Sequence, residues 1–217
     1  MEYDIKDLYR IKEEDYDRLY DMLLEAFRNY EKLLGAYPDR DDRQAAIEMV
    51  IAYYLAYDFK FGGAYSLDDE MNDALVICHS DVMDYSEEKR QEANCENDRF
   101  RAAAAGLSDE QIDFWFSFFE EFDRQEAALE IPEPHIYVDY VAVREDLQGQ
   151  GRGSRIITKL KEYADGLGFP IMLFTNGERD VKFYLKNGFR VLGVTESEEY
   201  RFENTYMLYE PYAGADR

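Results

Sequence analysis

The segment DLQGQGRGSRIITKL, residues 146–160, places glycines at three alternate positions, Gly149, Gly151 and Gly153. It follows the β-branched run YVAV and precedes apolar residues at helical spacing, so it predicts a tight turn from a strand into a helix. The chain has only 13 glycines in 217 residues, which makes this concentration informative. Such spacing indicates that the backbone adopts positive φ or approaches a ligand closely.

Two common phosphate-binding patterns do not fit this loop. The P-loop needs a Gly-Lys pair followed by Ser or Thr, and the chain contains none. The Rossmann pattern G-x-G-x-x-G needs a sixth-position glycine, but that position holds Ser154 when counted from Gly149 and Ile156 when counted from Gly151. Nucleotide binding through either pattern is therefore disfavoured.

Composition excludes several other classes of function. The net charge of −23 argues against nucleic-acid binding, which needs clustered Lys and Arg. With two cysteines and two histidines in no ligand spacing, we expect neither a disulfide framework nor a metal site. No apolar run has membrane-spanning length and the start lacks a signal-peptide core, so we expect a cytoplasmic protein with no membrane partner.

Apolar periodicity divides the chain into elements. It predicts helices at residues 13–34 and 44–59, a β-hairpin at 62–80 and a helical stretch from Tyr85 to about Leu129. A parallel strand–helix–strand unit follows at about 136–174. A short helix and two further strands are then expected in this order: 179–187, 189–194 and 203–211. The last five residues, AGADR, are expected to fray.

The helical stretch carries one start signal and one aromatic stripe. Ser108 and Gln111 have the spacing of a capping box. Trp115, Phe118 and Phe122 recur at helical spacing, which is more typical of core packing than of a substrate cage. Packing is the preferred interpretation, and a lid or a homodimer contact is the alternative.

Three segments together resemble one family. Gln148-x-x-Gly151-x-Gly153 resembles the acyl-CoA-binding motif of the GNAT superfamily, the acetyl-CoA-dependent N-acetyltransferases. HIYVDYVAV is similar to the strand that precedes this motif in the family, and NGERDVKFYLKNGFRVLG is similar to a later segment with the consensus V-x-F-Y-x-x-x-G-F. The resemblance covers about residues 135–192, and residues 85–129 match nothing in the family.

The resemblance implies a fold and a domain plan. We expect an α/β fold with a twisted, mostly antiparallel mixed sheet, one parallel pair of strands that splays apart, and helices on both sides. Residues 1–217 would form one N-acetyltransferase domain, with a helical insertion at 85–130 and an acetyl-CoA-binding core at 135–192.

The resemblance also implies a cofactor site. Acetyl-CoA is expected as cosubstrate, its pyrophosphate held by backbone N–H groups at a helix start. The residues expected to contact it are Val141, Val143, Gln148, Gly149, Gln150, Gly151, Arg152, Gly153, Ser154 and Asn176. Asn176 is displaced by one position from the asparagine of the family pattern, which stands seven residues before the tyrosine.

Three residues are candidates for the chemistry. The resemblance makes Tyr184 the general acid, because the tyrosine at this position of the family faces the cofactor sulfur. Asp139 is a carboxylate within an apolar strand. Because a buried carboxylate without a partner is unfavourable, we expect Asp139 to have a partner, a raised pKa or a functional role such as that of the general base. Strict alternation places Tyr137, Asp139 and Val141 on one face of that strand, with Tyr137 shaping the site.

Two functions remain open at this point. The first is an enzyme that transfers acetyl from acetyl-CoA to a primary amine by direct attack. The second is a non-catalytic acyl-CoA-binding module. The acceptor would be a small-molecule or peptide amine, and the acidic clusters at 68–73 and 120–126 are expected to border its cleft and to favour a cation. The alternative is that the negative charge serves only solubility.

Overall fold

The computed structural model describes residues 4–28 and 41–212. The described helices are, in chain order, α1 (Tyr16–Arg28), α2 (Arg43–Phe61), α3 (Glu87–Glu92), α4 (Asp98–Ala104), α5 (Asp109–Glu126), α6 (Arg152–Leu167) and α7 (Glu178–Lys186). The strands are β1 (Tyr9–Arg10), β2 (Gly63–Ser66), β3 (Asp73–His79), β4 (Ile136–Val143), β5 (Ile171–Thr175), β6 (Arg190–Ser197) and β7 (Phe202–Tyr209).

The strands form one mixed sheet of seven, in the order β1-β2-β3-β4-β5-β7-β6. All neighbours are antiparallel except β4 and β5, which are joined through α6 and run parallel. Helices pack on both faces of this sheet. The fold class expected from the resemblance, a mixed sheet with one parallel pair, is confirmed.

Each face of the sheet carries its own core. On the first face, α1, α2, α4 and α5 pack with β-strand residues around Leu19, Leu55, Trp115 and Phe202. On the second face, the apolar sides of α6 and α7 cover β3, β4 and β5 around Ile156. We refer to the first as the α2 face.

Local sequence signals explain where the helices begin and end. The capping box predicted at α5 is confirmed, since the Ser108 side chain accepts from the backbone of Gln111 and the Gln111 side chain accepts from that of Ser108. Gly168 ends α6 with φ of 74° and Gly188 follows α7 with φ of 89°, which are left-handed conformations suited to glycine.

The predicted elements agree with the structure within a few residues. The hairpin, the helices within 85–129 and the strand–helix–strand unit are confirmed, and the interpretation of the helical stretch as an insertion stays a prediction. Residues 13–15 form a 3₁₀ turn that leads into α1, and the part of that predicted helix from 29 to 34 lies outside the described residues, as does AGADR. The aromatic stripe is buried on α5, so the packing interpretation is confirmed.

A β-bulge interrupts the ladder between β3 and β4. Val76 pairs with Tyr140, whereas the next residue, Ile77, pairs with Val138. Asp139 is therefore the extra residue on β4, with no opposite neighbour on β3. Bulges of this kind re-aim side chains and are frequent beside functional sites.

The bulge overturns one expectation about β4. Val141 packs with the core of the second face, whereas Tyr137 packs with Met172 and Tyr206 on the other side of the sheet. Tyr137 and Val141 therefore do not share a face. The prediction of strict alternation was wrong because the extra residue, Asp139, reverses the order of the side chains that follow it.

Candidate active site

β4 and β5 are paired at one end only. Their ladder joins Ile136 to Ile171 and Tyr137 to Met172, and it ends there. Beyond this point the strands diverge, and a cavity of about 730 Å³ opens between them. β4, β5, α7 and the glycine loop (residues 148–154) line it, and the lining includes the predicted residues Val141, Val143, Gln148, Gly149, Gly151, Arg152, Gly153 and Ser154.

The backbone of the glycine loop explains its composition. Gly149 and Gly151 have φ of 75° and 83°, a region that other residues rarely adopt. A Cβ on either residue would meet no atom within 4 Å, so there is open space beside both. Gly151 is the N-cap of α6, and no side chain caps this helix. Its first-turn N–H groups therefore form a site for an anion such as phosphate.

Gly153 has a different role from the two glycines before it. It lies within the first turn of α6, and a Cβ there would come 3.2 Å from Cζ of Phe183 on α7. The absence of a side chain therefore lets α6 and α7 approach each other closely at the rim of the cavity.

The glutamines of the loop hold its shape. Gln148 lies in the cavity wall, where its side chain donates to the Val143 carbonyl oxygen at 3.1 Å and accepts from Arg179 at 3.2 Å. Gln150 donates to the carbonyl oxygen of Asp146 at 3.2 Å. These contacts connect the loop to β4 and α7, and direct contact of either side chain with a cofactor stays a prediction.

Arg152 is engaged by carboxylates of the same chain. Its Nε lies 2.5 Å from Asp73 Oδ2 and its Nη2 lies 2.8 Å from Asp68 Oδ2. Asp73 is fully buried and also accepts from Ser66 and from the backbone of Leu67. The acidic cluster at 68–73 therefore anchors the start of α6 through Arg152, and contact of Arg152 with a cofactor stays a prediction.

Asn176 is directed away from the cavity. Its side chain donates to the carbonyl oxygen of Glu203 on β7 at 2.6 Å, while its neighbours Thr175 and Gly177 line the cavity. Two cations that the sequence reasoning did not select, Arg179 and Lys186, line it from α7. Their positive charge beside a predicted phosphate site is the signal that could have identified them.

Tyr184 is held beside the same space. It lines the cavity from α7, and its buried ring packs edge-to-face against Phe183 and Phe189, with centroid distances of 5.1 and 5.4 Å. These two ring contacts fix the position of the Tyr184 ring beside the cavity. Its role as a proton donor stays a prediction.

Asp139 brings a carboxyl group to the opposite wall. It is half-buried, it lines the cavity, and its Oδ2 is buried without a hydrogen-bond partner in the described structure. Burial first, and then the negative charges of Glu126 and Asp123, raise the pKa of Asp139 from its ordinary 3.8 to about 8. A base with that pKa is suited to accept a proton from an ammonium group near neutral pH.

Helix α5 supplies both neighbouring carboxyls. Burial raises the pKa of Glu126 to about 7, against the opposing effect of a hydrogen bond from Tyr137. Partial burial of the carboxyl and then the charge of Glu120 raise the pKa of Asp123 to about 6. The acids of α5 thus act on Asp139, and a place for the 120–126 cluster at an acceptor cleft stays a prediction.

A family model agrees with this geometry. The model of the acetyltransferase (GNAT) family matches residues 73–189, more than half of the 217-residue chain. The chain belongs to the GNAT acetyltransferase family. The match spans β3, the glycine loop and the segment that carries Tyr184. No curated protein sequence matches this GNAT chain.

Several solved structures have the same fold. An acetyltransferase from Corynebacterium glutamicum, described as histone acetyltransferase HPA2 and related, is 17% identical with a TM-score of 0.62, covering 96% of this chain and 98% of its own. An N-acetyltransferase from Staphylococcus aureus Mu50 is 18% identical with a TM-score of 0.51 over 93% and 99%. A protein of the mosquito Aedes aegypti, assigned as arylalkylamine N-acetyltransferase 7, is 12% identical with a TM-score of 0.61 over 94% and 86%.

The sequence reasoning missed one acid of this GNAT protein. Asp58 lies on α2 with no exposed surface, and both carboxylate oxygens are buried without a hydrogen-bond partner in the described structure. Burial and then the charge of Asp139 raise the pKa of Asp58 well above its ordinary range. A lone acid in the apolar run IAYYLAYDF was the available signal, the same one that pointed to Asp139.

Two kinds of feature are absent from the part of the chain that the structure describes. Across 4–28 and 41–212, no helix is long and apolar enough to cross a membrane. In the same ranges, no three His, Cys, Asp or Glu side chains are grouped so that they could hold a metal ion. The cysteines Cys78 and Cys95 are both free and buried.

Proposed function

We propose that this GNAT protein transfers the acetyl group of acetyl-CoA to a primary amine by direct attack of the amine on the thioester. The proposal is carried by one observation: the diverging pair β4–β5 opens directly onto the glycine loop. A long, thin cosubstrate with a pyrophosphate at one end and a thioester at the other needs both features in one cavity.

The residues present fit acetyl-CoA. Gly149 and Gly151 leave open space beside the first turn of α6, where an anion is favoured, and Arg179 and Lys186 add positive charge to the same cavity. Beyond Tyr137, the side of β4 that faces β5 has no partner strand among the described residues, so its backbone groups are available to a pantetheine amide. When bound, acetyl-CoA supplies an activated thioester carbonyl.

The chain supplies the proton transfers. Asp139 accepts the proton that the acceptor ammonium must lose before its nitrogen can attack, and its raised pKa of about 8 suits that task. Tyr184 donates a proton to the departing thiolate sulfur from the opposite wall. Glu126, hydrogen-bonded by Tyr137, is a positioning residue whose charge supports the high pKa of Asp139.

The acceptor enters from the α2 face. Asp139, Glu126 and Asp123 present carboxyls there, and a cationic small-molecule or peptide amine would be attracted to them. We assign the negative charge of this region to substrate attraction and the remainder of the −23 to the solvated surface.

Release of free thiol from acetyl-CoA, measured with a panel of primary amines, tests the proposal. Turnover is expected with at least one amine, and a Gly151→Ala variant should lose acetyl-CoA affinity because its Cβ enters the open space at a φ that alanine disfavours. Gly166→Ala is the matched control, since Gly166 also has open space but lies within α6 at an ordinary φ. Acetyl-CoA binding without any amine turnover would favour a non-catalytic binding module instead.

A further inference from the structure

The buried acid on α2 has no counterpart of opposite charge among the described residues. Both oxygens of Asp58 are buried and without a hydrogen-bond partner there, and the influences on its pKa are burial and another acid, Asp139. No described Lys, Arg or His contributes to that shift. An isolated carboxylate in such a place is strongly unfavourable, so Asp58 either holds a proton or pairs with a cation that reaches it from outside.

Two tyrosines lie near this acid. The charges of Asp58 and Asp139 both raise the pKa values of Tyr85 and Tyr140, after burial as the main cause, so these two tyrosines lie close to the acids. Tyr85 stacks on Tyr57 with centroids 4.2 Å apart, and Tyr140 packs edge-to-face on Phe27. Tyrosine faces attract ammonium groups through cation–π interactions and offer nothing comparable to an anion.

The acids differ in depth along the α2 face. Asp123 on α5 is the most exposed of them and only partly buried, Glu126 and Asp139 are half-buried, and Asp58 is fully buried. Of these four acids, only Asp139 lines the cavity between β4 and β5. Asp58 lies one helical turn before Gly62, and Gly62 packs against Ile77, the partner of Val138 beside the bulge. With the reacting nitrogen of an acceptor near Asp139, Asp58 is the deeper acid that a second cationic group of the same molecule would meet.

Chemistry then distinguishes between two kinds of acceptor. The reacting nitrogen must be neutral when it attacks, so a monoamine carries no charge for Asp58 at that moment. A second ammonium group on the same molecule keeps its charge throughout the reaction. It would satisfy the two orphaned oxygens of Asp58 in the ground state and in the transition state alike.

We propose that the acceptor of this GNAT protein is a linear aliphatic diamine or polyamine whose non-reacting ammonium group is held by Asp58. The inference rests on the proposed acetyl transfer. Asp58 is then a specificity-determining residue, with Tyr85 and Tyr140 forming the walls around the ammonium. The outer acids, Glu126 and Asp123, collect the polycation at the entrance.

The test compares amines of equal length. Acetylation of putrescine and cadaverine is measured beside n-butylamine and n-pentylamine, which lack the second ammonium group. The wild-type protein is expected to favour each diamine by ~100-fold in kcat/KM, since a buried charge pair is involved. In Asp58→Asn this preference should fall by about ten-fold or more, whereas Asp113→Asn, an equal charge change at an exposed position of α5, should retain it.

Binding gives a readout that does not depend on turnover. Cadaverine should raise the melting temperature of the wild-type protein and n-pentylamine should not, and Asp58→Asn should abolish the difference. Equal kcat/KM for diamine and monoamine in the wild type would overturn the inference and leave the proposed function standing. A diamine preference that survives in Asp58→Asn would overturn the role of Asp58. If acetyl-CoA binds but no amine is acetylated, both the inference and the proposed function are wrong.

Discussion

Replacing Asp139 with asparagine should make the protein more stable as it makes the enzyme less active. Burial and the nearby acids raise the pKa of Asp139 from 3.8 to about 8 in the folded protein. A carboxyl with a raised pKa binds its proton more tightly when folded, so its contribution to stability is full at low pH and is lost as the pH rises from 3.8 to about 8. The amide of the Asp139→Asn variant does not titrate, so the variant escapes this loss.

The magnitude follows from the two pKa values. Each pH unit between them costs ~1.4 kcal/mol of folding free energy, which gives an upper limit of ~4 kcal/mol at neutral pH. The amide that replaces the carboxyl would have incomplete hydrogen bonding, at a cost of ~1–3 kcal/mol. We expect a net stabilisation of ~1–3 kcal/mol at neutral pH, or a melting temperature raised by ~2–12 °C for a chain of this size.

The assay is thermal unfolding of wild type and Asp139→Asn over a range of pH. The advantage of the variant should grow steadily as the pH rises from about 5 to 8 and should be smallest at the acidic end. Asp58, Glu126 and Asp123 also titrate beside this position, so Asp113→Asn serves as the exposed control and should show no such trend. If the stability difference between the two proteins stays constant with pH, the claim that burial and nearby acids raise the pKa of Asp139 is refuted.

Four further outcomes are expected of the catalytic site. Tyr184→Phe should lower kcat by ~10- to 10,000-fold with a much smaller change in the dissociation constant of acetyl-CoA, measured by calorimetry; a wild-type kcat would make Tyr184 a packing residue. The kcat/KM of the wild type should rise with pH and level off above the pKa of Asp139, about 8, in a steady-state pH profile. Glu126→Gln should shift that profile to lower pH, since it removes a charge that raises the pKa of Asp139; an unmoved profile would contradict the coupling. Increasing salt should lower kcat/KM for a cationic acceptor more than for a neutral one, and identical salt profiles would return the acidic surface to a solubility role.

Much of the fold could be predicted from local patterns. The strand–loop–helix unit around the glycine loop is contiguous in sequence, and its period changes from strand to helix at the glycines. The capping box of Ser108 and Gln111 likewise depends on residues only three positions apart. These features could be predicted because the residues that cause them lie within a single turn or a single strand.

The remainder depends on contacts between distant segments. The bulge at Asp139 arises from the way β4 pairs with β3. The sequence of β4 alone contains no signal that predicts this bulge. The pairing of Arg152 with Asp73 joins residues 79 positions apart and anchors a loop residue that the sequence predicts as a phosphate ligand. Asp58 is close to Asp139 only because α2 packs on the same face of the sheet. Sequence patterns can single out residues such as these as unusual. They cannot predict that residues far apart in the sequence lie close together in the fold.

The most direct measurement follows the acetyl group itself. The protein is mixed with acetyl-CoA that carries an isotopic label in the acetyl group and with a panel of mono- and diamines, and the products are identified by mass spectrometry. The account predicts labelled acetyl on the nitrogen of an amine, with one free thiol released per product. Saturable binding of acetyl-CoA with no labelled amine, under conditions where the protein is folded, would contradict it.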